Sequence, residues 1–285
     1  MNRIIFRNML AAVAVLAGMS AAAQNRAITW VTEPVDGHRT GVTASSADNV
    51  EESMGTVKRC KYIAPNGRVF RKGTVKKVAK LMLDAQPAMA EVKQVIGYST
   101  REMRRTKPEC ELYDWFIDEL MRATADSTGR KVDIGITNRG GVRIDMPAGE
   151  IQMDDIQSMF PFHNNLCYVA LYGRDVRVIL DQMAATSFDI LGGVKVVAKN
   201  GKIVSATVDG EPLDDDKIYG VATINFLLDG GDGYFVGKNA VETIFCNGWI
   251  YDTMIDYVKA LTAAGKPVEF ENQHWITILK EGDKK

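Results

Sequence analysis

Histidine is scarce in this chain. Three occur in 285 residues, His38, His163 and His274, too few for a histidine-rich metal centre. Asp36-Gly37-His38 has the spacing of two ligands, but a pair without partners reads as loop. The four cysteines, Cys60, Cys110, Cys167 and Cys246, stand far apart, and no two have metal-ligand or Cys-x-x-Cys spacing. They allow three full disulfide pairings. Buried free thiols are the default expectation, and Cys167, inside an apolar run, reads as core. There is no Gly-x-Ser-x-Gly elbow and no ATPase-type glycine loop, so neither motif points to serine-hydrolase or P-loop chemistry. No sign of charge dominates: 35 Lys and Arg face 36 Asp and Glu. That balance offers no electrostatic case for binding a nucleic-acid polymer or an anionic membrane.

Long apolar runs are also missing. The candidate, Met9 to Met19, is short for a membrane span. It follows Arg3 and Arg7 and precedes Ala21-Ala22-Ala23, a small-residue cleavage pattern before Gln24. Residues 1–23 therefore read as a secretory signal, and the chain as exported, periplasmic or secreted, with no span left after cleavage. No cysteine lies near the cleavage point, so there is no lipoprotein signal.

What remains is enough for one sizeable core with an N-terminal extension. The extension, residues 24–74, has poor periodicity apart from a hairpin signal, Lys61 to Ala64 and Arg68 to Phe70 around Pro65-Asn66-Gly67. The domain proper is placed at residues 75–280. Apolar spacing of three and four predicts helices over Val75 to Val95, broken or kinked at Pro87, and over Leu112 to Ala125, Gly173 to Met183 and Trp249 to Ala263. Met153 to Met159 reads as a short helix. Strands are expected at Val132 to Thr137, Leu166 to Tyr172, Tyr219 to Phe226 and Trp275 to Leu279. A second hairpin, Val194 to Ala198 and Ile203 to Val208, turns at Asn200-Gly201. Helices and strands mix without strict alternation, which implies an α+β, layered, mixed-sheet domain.

Three motifs carry chemistry. Asn138-Arg139-Gly140-Gly141-Val142-Arg143 is a glycine turn after an apolar strand. Pro161-Phe162-His163-Asn164 is a second turn. Asn225-Phe226-Leu227-Leu228-Asp229-Gly230-Gly231-Asp232-Gly233-Tyr234 ends in a Gly-Gly-Asp-Gly loop. An arginine, two phenylalanines and a loop aspartate would suit phosphate, base and ribose. In this order and spacing the motifs resemble the C-terminal, substrate-binding domain of the 5'-nucleotidase family, from about Thr100 to Leu279.

The resemblance implies roles. Arg143 would contact a phosphate through its planar fork of donors. Phe162 and Phe226 would sandwich the base, Asp232 would accept from ribose hydroxyls, and Asn138 would meet the base edge. Gly141 and Gly231 would let backbone approach the ligand, and Asn164 completes the second turn. Arg139 departs from the family's glycine; a second phosphate contact and crowding of the pocket are both open. His163 also replaces a glycine, either as pocket lining or as a plain turn residue. Glu111-Leu112-Tyr113 replaces the family's Asn-Leu-Gly near a further phosphate-binding arginine, leaving Arg104, Arg105 or Lys107 to supply that charge. Arg101 to Arg105 otherwise reads as a solvated face.

Family hydrolysis also uses an N-terminal metallophosphatase domain with two divalent metals. The residues ahead of the motifs are too few to hold one. The resemblance thus implies a substrate-recognition part that takes a nucleoside or nucleotide, carries no metal or other cofactor itself, and works with a separate metallophosphatase chain that holds the divalent metals. The alternatives are an exported, non-catalytic nucleoside- or nucleotide-binding protein, and a degenerate domain kept as a scaffold.

Overall fold

The computed structural model describes residues 48–280. The expected signal, residues 1–23, and Asp36-Gly37-His38 lie outside the described residues. The described chain opens with α1 (Val50–Met54) and a three-stranded antiparallel sheet, β1 (Thr56–Lys58), β2 (Lys61–Ile63) and β3 (Val69–Phe70). Turn chemistry makes the β2–β3 hairpin: Gly67 takes φ 79°, and Asn66 Oδ1 accepts the Arg68 N–H. α2 (Thr74–Met89) follows and buries no residue. It runs through Pro87, whose missing N–H leaves the Leu83 carbonyl without its helical partner, and ends two residues later. Val95 is therefore not helical. It starts β4 (Val95–Ser99), which pairs antiparallel with β6 (Gly149–Gln152).

The centre is a helix laid on a mixed sheet. α3 (Glu111–Thr128) buries nine residues, among them Leu112, Trp115, Phe116, Ile117 and Leu120. It covers a five-stranded sheet of β5 (Ile134–Thr137), β7 (Leu166–Tyr172), β8 (Ile190–Gly192), β12 (Ile218–Ile224) and β13 (Glu242–Phe245), in the order β13-β7-β12-β5-β8. Two glycines permit the close approach. A Cβ on Gly135 of β5 would sit 2.5 Å from the Ile117 side chain, and one on Gly192 of β8 would sit 2.9 Å from it. β5 and β12 run parallel, and the other neighbours are antiparallel.

α4 (Met153–Met159) carries a reciprocal capping box between Gln152 and Asp155, and α5 (Gly173–Ala185) leads out of β7. A second sheet orders β11 (Glu211–Pro212), β10 (Lys202–Val208), β9 (Val194–Lys199) and β14 (Ile276–Leu279). Its central hairpin turns at Asn200 and Gly201, both left-handed at φ 52° and 72°, as an Asn-Gly turn requires. α7 (Ile250–Ala263) packs beside β4, where Gly97 lies against Val258. The result is the expected mixed-sheet α+β domain.

Two expectations need correction. The strand predicted through Phe226 stops at Ile224, and Asn225–Leu228 form a helical turn, α6. Its start is fixed by side-chain bonding described below. Cys60 is exposed, because it sits in the tight β1–β2 turn at φ 60°. Cys110, Cys167 and Cys246 are buried, and all four are free. Burial drives the Cys167 thiol up to about 12, with Cys246 adding to the effect, so it is an inert core group.

Candidate ligand-binding site

The three motifs meet because of strand direction. β5 and β12 are adjacent and parallel, so their carboxyl ends open on the same side of the sheet. Asn138 follows β5 directly, and Asn225 follows β12. β7 is antiparallel to β12, with Leu166 opposite Ile224, which brings the loop before it, Pro161 to Asn165, to the same edge. Loops at the carboxyl ends of strands are the usual place for ligand sites in such sheets.

These loops enclose a cavity of about 240 Å³. Asn138, Gly141 and Arg143 line one part, with Gly140; Phe162, Asn164, Phe226 and Asp232 line the rest. The two phenylalanines are 45% and 44% exposed, unusual for a ring that size. The Arg143 guanidinium lies 5.6 Å from the Phe162 ring centre and donates from Nη1 to the Gly140 carbonyl at 3.1 Å. It has no carboxylate partner among the described residues, which leaves donors free for an anion.

Asn138 Nδ2 donates to Asp232 Oδ2 at 2.6 Å. A carboxylate can only accept, so this bond fixes the amide orientation. Asn138 Oδ1 is left buried without a partner. It is an acceptor waiting for a donor. Asp232 takes a left-handed φ of 51° between glycines, a conformation Asp tolerates better than most residues.

Two expected residues stand outside this lining. Gly231 lies beneath Phe226: a Cβ there would come 2.2 Å from the Phe226 carbonyl oxygen and 2.7 Å from its ring. Its role is to let the loop close under that ring. Arg139 turns away from the cavity. Its N–H and Nε donate to Asp189 at 2.9 and 3.3 Å, and Nη2 donates to Ser187 at 3.0 Å. The pair is largely buried, and burial first, then the neighbouring Asp189 carboxylate, raises the Tyr234 phenol. Arg139 therefore neither crowds the pocket nor offers it a second cation.

Two of the three alternative phosphate donors are engaged too. Arg105 pairs with Asp145 at 2.7 Å and donates to the Val142 carbonyl; Arg104 pairs with Glu102. The 101–105 cluster is a solvated, paired face. Other contributors carry weaker sequence signals. Asn165 and Asn225 bond reciprocally: Asn165 N–H donates to Asn225 Oδ1 and Asn225 N–H to the Asn165 carbonyl, each at 3.0 Å. This clasp starts α6 and joins the Phe162 loop to the Phe226 turn. His163 stacks on Trp249 at 4.3 Å, outside the cavity lining.

Residues 89–238 match the family model described as 5'-nucleotidase, C-terminal domain. The chain belongs to the 5'-nucleotidase family through this domain. It is 33% identical over 120 residues to protein UshA of Escherichia coli, a match covering 40% of this chain and 22% of that protein. It is 31% identical over 221 residues to cell wall protein Lmo0130 of Listeria monocytogenes, covering 68% and 27%. The crystal structure of a 5'-nucleotidase precursor from Thermus thermophilus superposes with a TM-score of 0.64 at 26% identity, covering 73% of this chain and 43% of that one. The match thus spans about a quarter of the length of these curated relatives.

The family's hydrolytic chemistry implies divalent metals. Among the described residues there is no group of three or more His, Cys, Asp or Glu placed to hold one, so these residues do not fit that group. Nor, among them, is any helix long and apolar enough to cross a membrane.

Proposed function

We propose that this chain is the substrate-recognition part of a 5'-nucleotidase-like phosphohydrolase acting on nucleoside 5'-phosphates, with the metal-dependent catalytic domain on a separate chain. The observation that carries the reading is the cavity, with two exposed phenylalanines, a carboxylate locked to Asn138, and an arginine without an acidic partner around one space. Phe162 and Phe226 stack on the two faces of the base. Asp232 accepts from the ribose hydroxyls. Arg143 sits where its fork orients a 5'-phosphate, and positioning of this kind supplies much of the rate in phosphoryl transfer. The attacking water and its activation belong to the partner. Export is part of the proposal, supported by the basic start, short apolar run and small-residue site of residues 1–23.

A second reading is a non-catalytic exported nucleotide-binding protein. It is favoured by the Asn138–Asp232 bond, whose two groups both belong to this chain. Calorimetric titration with adenosine and AMP, beside a divalent-metal phosphatase assay on the same sample, tests both. Binding without turnover is expected, and turnover restored by a separate metallophosphatase chain selects the split enzyme. Turnover by this chain alone overturns the split, and absence of binding overturns recognition.

A further inference from the structure

The charge of this chain balances only in the sum. Between Thr56 and Lys80 there is no Asp or Glu. The hairpin region holds Lys58, Arg59, Lys61, Arg68, Arg71 and Lys72, and α2 adds Lys76, Lys77 and Lys80. The rest of the chain then carries 26 cations against 36 acids. Two of the nine cations are paired, Lys58 with Glu51 and Lys80 with Asp84, both at 2.6 Å. Arg68 lies over the Phe70 ring. The other six have no carboxylate partner among the described residues.

The same lobe exposes aliphatic surface. In α2, Val75, Val78, Leu81 and Met82 are 48–72% exposed. Val75, Val78 and Met82 recur at three and four, so they form one stripe. The stripe forms one wall of an open groove of about 530 Å³, lined also by Met54, Tyr62 and Ala79. At 100° per residue, Lys80 lies on the face opposite the stripe, and Lys76 and Lys77 fall about 130° to either side of it.

We propose that this lobe, the β1–β3 hairpin with α2, docks on an anionic lipid surface. The charge is spread over a hairpin and a helix rather than lined up along a groove, as suits a plane of headgroups. The apolar side chains are aliphatic and stand outward, as an interfacial helix needs to reach the acyl boundary. Diffuse positive charge and aliphatic contact together match a surface bearing phosphate anions over hydrocarbon. The acidic remainder of the chain is repelled by the same surface, so the charge asymmetry also orients the molecule lobe-first. The balanced total charge had offered no such case, because the sum averages over two segregated regions. An acidic amphipathic segment of another protein is the competing occupant.

The test is co-sedimentation with phosphatidylglycerol vesicles and with phosphatidylcholine vesicles, at low and high salt. It uses the chain begun at Gln24, since Met9 to Met19 would bind lipid by itself, and the full chain as a control. Binding to the anionic vesicles alone, weakened by salt, is expected. Each cation removed, in Lys76→Gln and Lys77→Gln, should weaken partition about fivefold. Leu81→Ser and Met82→Ser should weaken it further at unchanged salt dependence. All four side chains lie on the helix with no buried residue, so nucleoside affinity and circular dichroism should not move. Equal partition into both vesicle types, or none into either, overturns the proposal. So does partition that ignores the lysine changes, and binding of an acidic peptide without vesicle binding assigns the lobe to the competing occupant.

Discussion

At the scale of single residues, the site is a set of groups with unspent capacity. Phe162 and Phe226 hold apolar area in water, Arg143 holds unused donors, and Asn138 Oδ1 is a buried acceptor without a donor. Each is a small liability in the free protein that a ligand would relieve. Phe226→Ala removes a ring that is 44% exposed and rests on the Gly231 backbone. It should weaken nucleoside binding by about 1–3 kcal/mol while leaving the urea midpoint nearly unchanged; calorimetry and a denaturation curve check both. Asp232 needs a subtler change, because alanine would also orphan Asn138 Nδ2. Asp232→Asn keeps an acceptor for that amide but removes the charge and one acceptor from the ribose side. Ribonucleosides should lose about tenfold in affinity, a charge-assisted hydrogen bond's share, while free bases hold theirs. Equal losses for nucleoside and base would remove the ribose role.

At the scale of elements, the cavity is held by ties between loops that are far apart in sequence. Arg139 and Asp189 are 50 residues apart, yet they lock the turn after β5 to the segment before β8. Asp189→Ala leaves a largely buried guanidinium without its counter-charge and should cost about 3 kcal/mol of stability. Arg139→Gly in the same chain should recover much of that, which a urea-unfolding cycle reads directly. Non-additivity is the signature: additive losses would mean the two do not act as a pair. These ties also explain what was legible beforehand. The motifs around the cavity are local: each of the two glycine turns carries its own glycines, and their order, read as a family resemblance, grouped Asn138, Arg143, Phe162, Phe226 and Asp232, which line one cavity. The direction of Arg139 depends on a carboxylate outside its motif, and no pattern near residue 139 encodes it. The same holds for the end of β12. The apolar run continues into Phe226, but Asn165 and Asn225 clasp each other and turn the chain into α6. Short strands such as β8 and β13 owe their existence to the neighbouring strand's free edge rather than to their own periodicity.

At the scale of the whole molecule, the central helix also anchors the end of the described chain. Glu109, just before α3, accepts the N–H groups of Trp275 and Ile276 at 2.7 and 3.0 Å, and Asp114 Oδ2 accepts that of Gln273 at 2.8 Å. This carboxylate pair thereby sets the start of β14, which edges the second sheet against β9. Asp114 is 1% exposed. Burial first, and then the neighbouring Glu109 and Glu111 charges, push its carboxyl up to about 7, although the Gln273 N–H pulls the other way. A carboxyl raised in the folded state favours the fold while it is protonated. Its stabilisation is full below its ordinary value near 3.8, and it is lost as pH rises through about 7. Between pH 5 and pH 8 the protein should therefore lose stability, on the order of 2–4 kcal/mol if this group dominates. Asp114→Asn mimics the protonated form: its Oδ1 can still accept from Gln273, and its Nδ2 can donate to Glu109. The variant should melt above the parent by a margin that is small near pH 4 and widens from pH 5 to pH 8. Subtracting the two melting curves cancels whatever the substitution leaves unchanged and isolates residue 114. A difference that stays flat from pH 5 to pH 8 would show that the carboxylate pair does not govern how the β14 edge is held.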